Sequence, residues 1–116
     1  MTDVMRTLQL KGKEYPLVFN LNVMEAIQEE YGTLDQWGKL TDGTDGEPNA
    51  KAVIFGFREM INEGLDIEAD EKGEDFKPLT RKQVGRLITE YGLLEATKHM
   101  NEAVVESTKT ETTKNG

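Results

Sequence analysis

The chain has 116 residues, with 22 acidic against 14 basic side chains, a formal net charge of −8 and no cysteine. That length suits one domain with its own core, and the absence of thiols removes disulfides and thiolate metal sites, which fits a reducing compartment. The negative balance argues against gripping a phosphate backbone, no apolar run approaches a membrane span, and residues 1–11 lack a signal peptide's apolar centre. A soluble intracellular protein is expected.

From residue 4 to 19 the apolar period is two. Leu8 and Leu10 point one way, Lys11, Gly12 and Lys13 make a turn, and Tyr15, Leu17 and Phe19 share one face of the return. This predicts a hairpin, with Pro16 where the second strand has a free edge, because proline cannot donate to a ladder. Asn20 or Asn22 then opens a helix; Asn22 with Glu25 has the spacing of a capping box. Val23, Met24, Ile27 and Tyr31 form its inner stripe and Gly32 stops it. Thr33 with Gln36 starts a short helix that turns Leu34, Trp37 and Leu40 inward, with the single tryptophan as a core anchor.

Residues 41–48 (TDGTDGEP) form a turn-rich loop. Its carboxylates Asp42, Asp45 and Glu47 do not have the alternation of a calcium-binding helix–loop–helix, and the closing Glu is missing. The densest apolar stretch follows, at 49–64. Val53, Ile54, Phe57 and Ile61 share one helical face, with Ala50 a turn earlier, while Phe55 and Met60 fall outside it. Asn49 caps its start and Gly64 is expected to end it. Residues 65–77 carry six carboxylates against two lysines and are expected to be a mobile acidic loop.

Thr80 with Gln83 marks the next helix start. Its stripe is Val84, Leu87, Ile88, Tyr91 and Leu94. The phase then shifts to Leu93, Ala96, Met100, Ala103 and Val104, so a kink or a break is expected at Gly92. Nothing from Glu106 onward is apolar, which predicts a disordered tail over 106–116 behind a single domain over 1–105. The fold class read from these patterns is α+β: an N-terminal β-hairpin packed on a mostly helical domain of four to five helices.

Chemistry-bearing constellations are sparse. His99 is the sole histidine and Ser107 the sole serine, the latter expected in the tail; there is no phosphate-cradling glycine loop. No enzyme, cofactor or metal is expected. Apolar surface is the remaining resource, and Phe55, Met60, Leu93, Met100 and Val104 are the candidate partner-binding residues, for self-association and for an apolar helical partner.

The pattern L-x-L-x-G-K-E-Y-x-L-x-F at 8–19, the helix closing on Tyr31-Gly32, the short helix with Leu34 and Trp37, and L-T-x-x-x-V-x-x-L-I at 79–88 together cover most of the chain. This layout resembles the tail assembly chaperones of long-tailed bacteriophages and of prophages of Gram-positive hosts. The acidic segment 65–77 has no counterpart in that pattern. The resemblance implies a protein of the host bacterial cytoplasm that coats the apolar, helical tape measure protein, keeps it soluble and is absent from the finished virion. It implies self-association, no catalytic residues, and a frameshifted long form whose added domain recruits tail tube protein. Thr113-Lys114-Asn115 is compatible with an adenine-rich slip site for such a shift. The alternative reading is a structural tail component, a completion or tube-associated protein; a single hairpin is little strand for a tube subunit.

Overall fold

The computed structural model describes residues 4–44 and 46–115, with side chains described over 6–44 and 46–108. Two strands, β1 (Val4–Leu10) and β2 (Lys13–Phe19), pair antiparallel, with Leu8 opposite Tyr15 and Leu10 opposite Lys13. Both turn residues, Lys11 (φ 54°) and Gly12 (φ 74°), lie in the left-handed region, as a two-residue hairpin turn that follows strand twist requires. Five helices follow: α1 (Leu21–Tyr31), α2 (Leu34–Thr41), α3 (Ala50–Lys72), α4 (Arg81–Tyr91) and α5 (Leu93–Asn115). The architecture is α+β, an N-terminal hairpin packed on helices.

Strand β2 is buried on both faces over residues 16–19. Leu8, Leu10, Leu17 and Phe19 join the main core from one side. On the other side Pro16 and Val18 press against α3, where a Cβ on Gly64 would lie 2.7 Å from the Pro16 ring and 3.3 Å from Val18. Gly64 therefore permits close approach of helix and strand, and it does not end the helix. Ile61, Leu65 and Ala69 carry the inward stripe onward in steps of four, and α3 runs to Lys72 before Gly73 closes it in the left-handed conformation (φ 67°). The expected mobile loop over 65–77 is thus mostly helix, and only the connection beyond Lys72 is irregular. Pro16 does sit in a strand with a free edge, since the sheet has two strands among the described residues.

Caps fix where the helices begin. Asn20, and not Asn22, caps α1: its Oδ1 accepts from Val23 N at 3.2 Å. Both asparagine amides donate to Glu63 Oε2, at 2.7 and 3.0 Å, which ties the start of α1 to α3. Thr33 and Asn49 cap α2 and α3 through Gln36 N and Ala52 N. Thr80 and Gln83 close a reciprocal capping box at α4, and the Asn62 side chain clamps both backbone polar groups of Leu79 just before it. Of the kink or break expected at Gly92 (φ 109°), the structure has the break, between α4 and α5.

At the C-terminal end the start of the tail, expected at Glu106, lies further along the chain. α5 continues past Val105, Ser107 is fully buried, and its hydroxyl donates to the Phe19 carbonyl at 3.1 Å. Order therefore includes Glu106, Ser107 and Thr108; the side chains of 109–116, including the expected slip-site residues, lie outside those described. No helix among the described residues is long and apolar enough to cross a membrane.

Candidate functional site

The centre of the molecule accounts for most of the apolar side chains set aside for a partner. Ala52, Val53, Gly56, Phe57, Met60, Ile61 and Gly64 are all buried, so α3 is enclosed on most of its circumference. Met60 and Met100 are fully buried and Val104 nearly so, which corrects their placement on an available surface: they are core. Phe55 is half-buried and meets the Tyr31 ring edge-on, with centroids 5.5 Å apart. Leu93 remains partly exposed at the α4–α5 junction beside the more exposed Leu94. The five residues form no single patch.

Gly56 explains why Met100 points inward. A Cβ there would lie 2.3 Å from the Trp37 ring and 3.1 Å from Met100 Sδ, so α2, α3 and α5 meet over a bare glycine. The Trp37 indole N–H donates to the Ala52 carbonyl at 3.0 Å, which satisfies the polar atom that burial would otherwise strand. The tryptophan is the core anchor the sequence suggested.

Outside this junction an open groove runs between α2 and α5. Leu34, Gly38 and Val105 contribute its surface over buried Trp37 and Val104, and Val105 is 58% exposed. Asp35, Lys39 and Asp42 line the α2 side. The groove continues along α5, past Lys98 and Asn101, to Arg6 of β1. Thr41 Oγ1 donates to the Gly38 carbonyl at 3.1 Å and lies 3.4 Å from Asn101 Oδ1, spanning the two helices. Arg6 Nη1 stands 3.5 Å from Glu102 and 3.4 Å from Glu106, linking the hairpin to α5. These ion pairs are half-exposed, so they orient more than they stabilise.

The chemically distinctive side chains have ordinary occupations. His99 lies against Tyr91, with ring centroids 5.9 Å apart, and its Nδ1 is 3.8 Å from Glu102. Asp42 Oδ1 accepts from both the hydroxyl and the N–H of Thr44, which holds its carboxyl below the usual range. Asp45 lies outside the described residues, and among those described no three His, Asp or Glu side chains are grouped to hold a metal ion. Val105 and Leu34 are the groove residues that reading the sequence missed. Val105 follows a buried valine at the edge of the stripe, a position where helical phase alone cannot separate inside from outside.

No family model matches this chain, and no curated protein or solved structure matches it.

Proposed function

We propose that the protein is a tail assembly chaperone, acting in the host cytoplasm, and that its α2–α5 groove takes up an apolar face of the helical tape measure protein. The observation that carries this reading is the groove itself: exposed Val105 and half-buried Leu34 beside Trp37, flanked by charged side chains of both helices. Such a surface accepts one face of an amphipathic or apolar helix through its i, i+3 and i+4 side chains. The charged rim leaves the loaded protein soluble, which is what holding an aggregation-prone helix requires. The element order suits the family expectation, with a hairpin leading into the helical body.

The test is co-expression with fragments of a tape measure protein from the same gene cluster. The chaperone should raise the soluble fraction of the fragment and co-purify with it. Val105→Asp, at an exposed position, should abolish both while leaving the thermal midpoint close to wild type. Purified virions should contain no copy of this chain; its presence there at stoichiometric amounts would support a structural tail component instead.

A further inference from the structure

A second surface, sharing no residue with the α2–α5 groove, breaks local rules without a reason in the fold. Between α4 and the hairpin turn lies a notch floored by half-buried Ile54 and Gly85. Exposed Lys11, Lys82 and Arg86 form its rim, with Glu90 as its one carboxylate. Glycine weakens a helix interior, and at Gly56 and Gly64 close packing demands it; at Gly85 a Cβ would meet only Ile54 Cδ1, at an ordinary 3.5 Å. Lys11 takes a left-handed turn position (φ 54°) that asparagine or glycine fills with less strain. Lys82 stands in the first turn of α4, where the helix dipole opposes a cation. All three departures meet at one notch, and departures of this kind gather where a surface serves function. The rim cations also go unpaired on a chain with an excess of acids. Among the described residues the ion pairs use Arg6, Lys39, Lys51, Arg58 and His99, and none uses Lys11, Lys82 or Arg86.

We infer that the notch is a docking site for a short acidic segment of another protein, one that carries apolar side chains among its carboxylates. Charge selects the acidity: three cations without carboxylate partners converge on one rim, and a carboxylate-bearing segment pairs them. The floor selects a peptide over a bare polyanion. Ile54 is apolar, and a second depression that shares Lys11 and Arg86 is lined by half-buried Tyr15 and Leu79, so apolar side chains seat beside the same cations. A phosphate backbone has nothing to place there, and a chain of −8 repels a long polyanion as a whole. Bare backbone at Gly85 lets the partner's main chain come close. Net charge also speaks against a second copy of this chain in the notch, because it would bring a further −8 with its acidic stretch. The exposed acidic connection after Lys72 holds Phe76, which already lines a depression with Asn22, Val23 and Glu63 of its own chain. A foreign segment that is acidic only locally meets neither obstacle. This inference does not rest on the tape measure reading.

Titration of the isotope-labelled full chain with synthetic peptides, followed by NMR at physiological salt, tests it. A peptide with leucines set between glutamates should shift the amide signals of Lys11, Ile54, Gly85 and Thr89. It should bind at least tenfold more tightly than versions with serine for leucine or glutamine for glutamate. Lys82→Glu/Arg86→Glu should weaken binding at least tenfold. Lys39→Glu/Lys98→Glu, which changes net charge equally but lies along the α2–α5 groove, should weaken it less than twofold. Gly85→Leu, which has room for its Cβ, should block binding while retaining the helical circular-dichroism spectrum. A wild type that ignores the peptide at millimolar concentration overturns the inference, and so does equal weakening by the two charge reversals. An oligonucleotide of the same charge that competes as strongly as the peptide marks a general polyanion site and overturns it. Notch signals that shift with protein concentration alone assign the surface to a second copy and overturn it too. Tape measure capture through the α2–α5 groove should survive Gly85→Leu, so failure of one reading is distinguishable from failure of the other.

Discussion

At the scale of single residues, the same amino acid carries opposite signs of stability at different places. Gly56→Ala forces a methyl into the Trp37 ring and is expected to cost roughly 1–3 kcal/mol in denaturant unfolding, the usual range for overpacking. Gly85→Ala adds a methyl where there is space and removes a flexible residue from a helix, so it should stabilise by about 1 kcal/mol. Phe57→Ala opens a cavity at a fully buried site and should cost roughly 3–5 kcal/mol. Lys11→Asn relieves a strained turn and should stabilise by about 1 kcal/mol in denaturant unfolding. Asp42 gives a pH signature of known sign. Its carboxyl is held low by the Thr44 hydroxyl first and the Thr44 N–H second, so the folded state gains from it above the unfolded pKa and loses that gain as pH falls through the folded one. The gain is small because Asp42 is solvated. In Thr44→Val the Asp42 carboxyl resonance should titrate at a higher pH than in wild type.

At the scale of elements, α5 sets the clearest test. A chain ending at Val105 loses the buried Ser107 hydrogen bond to the Phe19 carbonyl and the Glu106–Arg6 pair, so it should be less stable than a chain ending at Thr108 by about 1–3 kcal/mol. Reading the sequence as disordered from Glu106 implies no difference. That misreading has a physical cause: a polar residue at a core position is silent in an apolar pattern, and Ser107 is buried because it satisfies a backbone carbonyl of a strand 88 residues away. The end of α3 was hidden for a related reason. Gly64 looks like a stop until Pro16 and Val18 are seen against it, and a distant strand leaves no local mark. What was legible is what local chemistry decides. Thr33, Asn49 and Thr80 cap helices as their spacing predicted, Gly32 and Gly92 end them, and the period-two stretch is the hairpin. The candidate site was less legible. Apolar surplus pointed to α3 and α5, but which side of each helix stays open depends on Gly56 drawing Trp37 and Met100 inward, which is a property of three elements at once.

At the scale of the whole molecule, the proposed α2–α5 groove should reveal its apolar character in its response to salt. The α2–α5 groove offers mainly apolar contact, so tape measure capture should change little between about 0.15 and 1 M salt, over which the Debye length falls from roughly 8 to 3 Å. A contact held mainly by ion pairs at an exposed surface would weaken over the same range, so co-purification of the tape measure fragment at about 0.15 and 1 M salt discriminates the two: capture that is retained supports the apolar groove, and capture that is lost assigns the contact to charge.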